Sequence, residues 1–184
     1  VEFLKSMRFT NPPAELPPDH PPIDGVGAMA GAASGSEADG GKPKWEVPAA
    51  WREVSGGAFL ISKFVVSGPN ESQAAINVSM SPGDGGGLVG NINRWRKQLG
   101  LADASEAEIR GQVAELDTTG GKAALVEISG SDPKTGKPAR ILGAIVGQPG
   151  RTWFYKLMGD QDLVAKEKDA FIQFVKSARY PNAS

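Results

Sequence analysis

Three carboxylates in the second half of the chain have a spacing that could do chemistry: Glu115 and Asp117 in GQVAELD, and Glu127 in GKAALVEISG beyond the turn TTGG. Positions i and i+2 of a strand point to the same side, and a neighbouring strand can bring a third acid alongside. Such a trio would hold Ca2+, Mg2+ or Mn2+ through oxygen, or form an acid/base pair. The plainer expectation is a row of solvent-facing strand carboxylates, with Arg140 placed to pair with one of them. His20 is the single histidine and lies in a proline-rich stretch, and there is no cysteine. A histidine-based triad within a folded domain, a thiolate nucleophile, a cysteine metal site and disulfides are thereby excluded. No catalytic residue is assigned.

The loop SPGDGGGLVGN carries Gly85, Gly87 and Gly90 in the bare G-x-G-x-x-G spacing of a dinucleotide cradle, between an expected strand and an expected helix. The acids about twenty positions on, Glu106 and Glu108, fall in a helical turn rather than at the end of a second parallel strand. The loop also lacks the G-K-S/T ending of a phosphate-binding P-loop. The glycines are therefore read as a tight irregular connection, and no cofactor is expected.

Two further groups could form a binding surface. In GNINRWRKQLG, Arg94, Arg96 and Lys97 surround Trp95. Leu88, Ile92, Trp95 and Leu99 recur at helical spacing, so Trp95 belongs to an apolar stripe and the cations to flanks that could meet an acidic protein partner. In RTWFYKLM, Trp153 and Tyr155 share one strand face and Phe154 points away. A small-ligand cleft between helix and sheet could use Trp153, Tyr155 or Lys156; burial beneath a covering helix is the structural alternative.

Lys and Arg total 20 against 21 acidic residues, a formal net charge of −1, so no global field favours nucleic acid or an anionic membrane. No apolar run is long enough for a simple transmembrane helix. Half of the 14 prolines fall within residues 10–44, followed there by small residues with few large apolar anchors. Residues 1–44 thus read as an N-terminal segment and Pro/Gly-rich linker, and residues 45–184 as one α+β domain. The PPDHPP segment could alternatively engage an aromatic groove. A tether of this kind, with a chain starting at Val1 rather than methionine, points to the bacterial periplasm, cell envelope or secreted space, with cytoplasmic residence as the alternative.

The elements that must position these residues begin at WEVPAAW, where Trp45, Val47 and Trp51 anchor the domain around Pro48. GAFLISKFVV and SQAAINVSM form the first pair of strands, with Phe59, Ile61 and Phe64 to Val66, then Ala74, Ile76, Val78 and Met80, as apolar sets. A helix over residues 88–99 follows, then a helical turn capped by Ser105 with Glu108 in the capping-box position. GQVAELD, GKAALVEISG, KPARILGAIVG and RTWFYKLMG supply four more strands, whose short turns favour an antiparallel meander. DQDLVAKEKDAFIQFVKSARY ends the chain as an amphipathic helix with Leu163, Val164, Phe171, Phe174, Val175 and Ala178 on its apolar face. The expected architecture is a largely antiparallel sheet of about six strands with helices packed on its faces.

With NINRWRKQLG after the first hairpin and TWFYKLMGDQDLVAKEKDAFIQFVKSARY as terminal strand and helix, this order resembles the PsbP/Mog1-like fold over residues 45–180. That fold family includes extrinsic photosystem proteins and a regulator that binds a small GTPase. The resemblance implies an α+β sandwich and transfers no functional residue. The functional expectation is a noncatalytic accessory or protein-interaction domain with an acidic partner. A small-ligand or hard-cation binding protein is the alternative, and a hydrolase stands behind both.

Overall fold

Alternation of buried and half-buried residues defines the strands in the computed structural model, which describes residues 41–181. Seven strands are present: β1 (Arg52–Val54), β2 (Ser62–Ser67), β3 (Gln73–Pro82), β4 (Ala114–Thr118), β5 (Gly121–Ser131), β6 (Pro138–Gln148) and β7 (Arg151–Asp160). They form one sheet in the order β1-β2-β3-β7-β6-β5-β4, with every neighbouring pair antiparallel. The last strand therefore lies between the first hairpin and the later meander. The leader readings at His20 and PPDHPP lie outside the described residues.

Helices cover both faces of this α+β sheet. Helix α1 (Gly87–Gln98) and the short α2 (Glu106–Gln112) lie on one side, and α3 (Gln161–Lys166) and α4 (Lys168–Ser177) on the other. On the first side Ile92, Trp95, Leu99 and Ile109 pack against Val126, Ile141 and Phe154. On the second, Phe171, Phe174, Val175, Leu163 and Val164 pack on Phe64, Ile76, Trp153, Tyr155 and Leu157. Ser105 caps α2 by accepting from Glu108 N–H, while the Glu108 carboxylate accepts from Ser105 N–H, the reciprocal capping box. Asp160 caps α3 through the backbone N–H groups of Asp162 and Leu163.

The antiparallel sheet of about six strands is present and gains one short edge strand, β1, which is three residues long, charged, and shows no apolar alternation. Details within it are corrected. Phe59 is 92% exposed and precedes its strand, since Leu60 N–H closes a turn onto the Gly57 carbonyl and β2 begins at Ser62. Ile61, Met80 and Val47 are also exposed. The terminal helix is two segments meeting at Glu167, whose carboxylate accepts the Trp51 indole N–H at 2.8 Å. Lys44 exchanges two backbone hydrogen bonds with Arg179, and Lys42 pairs with Glu53.

Candidate interaction surface

Register separates the three carboxylates. Glu115 faces Ala124 and Asp117 faces Lys122, whereas Glu127 faces Leu142 on β6. Ala124 and Ala123 are consecutive, and Ala123 belongs to the core beneath α3 and α4. Glu127, four positions after Ala123, therefore lies on that side and Glu115 and Asp117 on the other. Glu115 pairs with Lys122 in solvent. Glu127 accepts Arg140 Nη1 at 2.6 Å and Lys168 Nζ at 2.7 Å, which ties β5 and β6 to α4. The Lys168 hydrogen bond, then the charges of Lys168 and Arg140, hold the Glu127 carboxyl below its usual range against a smaller opposing effect of burial. Among the described residues no group of three His, Cys, Asp or Glu side chains could hold a metal ion.

The glycine loop is tied down by its own contacts. Gly85, Gly86 and Gly87 have φ of 62°, 92° and 74°, a left-handed path that other residues rarely follow. Asn91 in α1 donates to the Gly85 and Gly87 carbonyls at 2.9 and 2.7 Å. The strand that leads into the loop, β3, has only antiparallel neighbours, unlike the parallel strands around a dinucleotide cradle.

Trp153 and Tyr155 lie in the interior, each 0% exposed. The space between helix and sheet that a ligand would need is filled by rings: Phe174 stands 5.9 Å from Tyr155 and 5.4 Å from Trp45, centroid to centroid. Their polar tips are satisfied internally. Trp153 Nε1 donates to Gln148 at 3.2 Å, Trp45 Nε1 to Tyr155 Oη at 3.1 Å, and the Tyr155 and Tyr180 hydroxyls share a hydrogen bond of 2.7 Å. Burial pushes the Tyr155 phenol up to about 12 despite these two hydrogen bonds, and burial with the neighbouring Tyr155 raises Tyr180 as well.

The basic residues of α1 diverge. Arg96 Nε donates to the Ala102 carbonyl at 2.8 Å and Lys97 pairs with Asp103 at 3.2 Å, so both brace the segment leading to α2. Arg94 lies on the other flank, with Asn91 and Gln98 at helical spacing, and hydrogen-bonds Asn91 at 3.3 Å. On that flank Gln98 accepts Lys156 Nζ at 2.8 Å. Lys156 is half-buried, and desolvation holds its ammonium pKa below the ordinary lysine value.

This flank borders a surface that composition did not reveal. Along one row across the sheet Val54 faces Lys63, Lys63 faces Asn77, Asn77 faces Lys156, and Lys156 faces Gly143. Trp95 of α1 sits over Gly143 at the far end of this row. Over β1 to β3 the same face presents Arg52, Val54, Lys63, Val65, Ala75 and Asn77, all exposed or half-buried, and no described helix covers them. A shallow groove of about 270 Å3 runs past Lys63, Val65, Gln73, Ala75 and Met158. Among the described residues Arg52, Lys63, Arg94 and Lys156 form no ion pair with a carboxylate. Asn77 Oδ1 is buried without a hydrogen-bond partner. The period-2 spacing of Lys63 with Val65 and of Ala75 with Asn77 is visible in the sequence; the footprint of α1, which decides what stays uncovered, is not.

No protein-family model matches the chain. No curated protein matches it in sequence. Among solved structures it is similar to cyanobacterial PsbP (CyanoP) from Synechocystis sp. PCC 6803, with TM-score 0.48, 13% identity and coverage of 82% of this chain and 98% of that one. It is also similar to LpqN, described as involved in cell envelope biogenesis of Mycobacterium tuberculosis, with TM-score 0.47, 18% identity and coverage of 78% and 87%. A crystal structure from Bacteroides thetaiotaomicron VPI-5482 matches with TM-score 0.47 and 11% identity over 77% of this chain. The chain spans 46% of the length of that Bacteroides protein. None of these likenesses transfers a site residue or an activity.

Proposed function

We propose that this is a noncatalytic interaction domain that recognises a protein partner through acidic side chains, carried at the bacterial cell envelope or secreted on a Pro/Gly-rich tether. The observation that carries this reading is a division of labour. The polar tips of Trp45, Trp51, Trp153, Tyr155 and Tyr180 and the carboxylates of Glu115 and Glu127 are engaged in internal contacts. The cations Arg52, Lys63, Arg94 and Lys156 are left on one uncovered side without carboxylate partners among the described residues. Complementary charge at such a surface steers association and selects partners. The Pro- and Gly-rich composition of residues 10–44 supports the tether.

The test is titration of the full chain with an unstructured Glu-rich peptide and its Lys-rich counterpart, at low and at physiological salt. The acidic peptide is expected to bind, and to bind more weakly as salt rises. Equal binding of both peptides, or binding of neither, would overturn the reading.

A further inference from the structure

We infer that the uncovered half of the sheet is the seat of an amphipathic helix from a protein partner, apolar on one side and carboxylate-bearing on its flanks, laid beside α1. This rests on the acidic-partner reading above and adds the place and shape of contact.

Width comes first. Adjacent strands lie about 4.8 Å apart, so β1 to β3 span about 10 Å, the diameter of one helix with its side chains. Helix α1 packs on the β5, β6 and β7 side of this face through Trp95 over Gly143 and Gln98 beside Lys156, which leaves room for a second helix alongside it. On the opposite face two helical segments, α3 and α4, already cover the sheet.

The surface chemistry matches such an occupant. Val54, Val65, Ala75 and Met158 supply an apolar floor, and the small Ala75 allows close approach. Arg52 bounds the floor from the edge strand β1, Lys63 rises from β2 between Val54 and Asn77, and Lys156 and Arg94 stand on the α1 side. A helix with an apolar stripe between two rows of Glu or Asp would place carboxylates towards both. Lys156 meets only the Gln98 amide oxygen and is desolvated without a carboxylate beside it, so its ammonium gains from an incoming Glu or Asp side chain. A small molecule fits this surface less well: pockets for such ligands enclose most of the ligand, whereas this groove is shallow and open along the sheet.

The probe is a synthetic helical peptide with Leu at i, i+3, i+4 and i+7 and Glu on both flanks, compared with a scrambled peptide of the same composition. Backbone amide shifts of the full chain would be followed during titration. The helical peptide is expected to bind at least about tenfold more tightly than the scrambled one, with the largest shifts at Lys63, Val65, Ala75, Asn77 and Lys156. Lys63→Glu is expected to weaken it at least about tenfold, and Arg96→Gln with Lys97→Gln to leave it nearly unchanged. Lys156→Met separates recognition from folding: weaker binding at equal or higher melting temperature supports the seat. Equal affinity for the two peptides, or shifts centred on Arg96 and Lys97, overturns the helix seat and leaves the acidic-partner reading standing. Binding of neither peptide overturns both.

Discussion

The indole of Trp95 occupies the space that a side chain at position 143 would need: a Cβ built on Gly143 would clash with the six-membered ring. Trp95 itself is 6% exposed, on the stripe with Ile92 and Leu99. Trp95→Ala is therefore expected to cost about 3 to 5 kcal/mol, through lost transfer energy and an incompletely filled cavity. Gly143→Ala should cost about 1 to 3 kcal/mol by overpacking. In denaturant melts the double variant should be less destabilised than the two single costs together, because the indole that opposes the new methyl is gone. Additive costs would separate the two residues.

The chain holds two tyrosines, and both belong to the buried pair Tyr155 and Tyr180. Tyrosinate absorbance thus reports on this pair alone. The sign follows from the direction of the shift. A phenol whose folded pKa is raised contributes stability that is complete below the unfolded value of about 10. That stability is lost as pH rises through the folded value, about 12 for Tyr155. Alkaline titration should show the absorbance rising together with unfolding, above pH of about 10. Ionisation of either phenol at its ordinary pH in a still folded protein would contradict the packing.

Faces were more legible than neighbours. In RTWFYKLM the period of two separates Trp153 and Tyr155 from Phe154, and the two cores divide these residues the same way. The stripe Ile92, Trp95, Leu99 was equally plain, since helical spacing fixes a face whatever the partner is. Strand order was not legible, because β7 pairs with β3 across a long separation in the chain. Residue type misled at Phe59, where the turn from Gly57 to Leu60 puts an aromatic in solvent. Register decided the carboxylates. The hairpin pairs Thr118 with Gly121 across two residues, so odd-numbered positions of β4 share a face with even-numbered positions of β5. Glu127 is thereby sent to the face opposite Glu115 and Asp117. The open half of the sheet depends on where α1 ends its coverage, a tertiary fact with no local signal.

Glu127 joins Arg140 and Lys168, with side chains 32%, 20% and 44% exposed. Partial exposure screens this network, so Glu127→Gln should cost about 1 kcal/mol at neutral pH. The folded carboxyl pKa is lowered, so its contribution is present above the unfolded value of about 4.3 and disappears as pH falls through the folded one. Acid melts should show the wild type and the variant converging below that window. A constant gap down to low pH would assign the cost to packing instead.

Removal of residues 1–40 should leave the α+β domain folded, because Lys42 and Lys44 keep their contacts with Glu53 and Arg179. Cooperative melting should survive, with the midpoint moving by less than about 4 °C, equivalent to roughly 1 kcal/mol in a domain of this size. A non-cooperative melt with collapsed amide dispersion would put the leader inside the fold.

Lys156 is the residue at which stability and recognition are expected to oppose each other. The groups facing it are Gln98 from α1, Asn77 from β3 and Gly143 from β6, none of them a carboxylate. Desolvation lowers its pKa, so below the folded value the ammonium is held at a cost relative to the unfolded chain. Lys156→Met removes that cost and loses the hydrogen bond to Gln98, a half-exposed group that water can satisfy. The expected outcome at neutral pH is a gain of a few tenths to about 1 kcal/mol. As pH rises from the folded towards the unfolded lysine value, the unfolded chain binds more protons than the folded one, so the wild type gains stability and the difference between the proteins narrows. The tyrosine pair is common to both proteins and cancels in that difference. Melts at neutral and alkaline pH check this directly. A destabilised Lys156→Met, with a gap that does not depend on pH, would mean that Lys156 is part of the scaffold rather than a cation held at the surface for a partner.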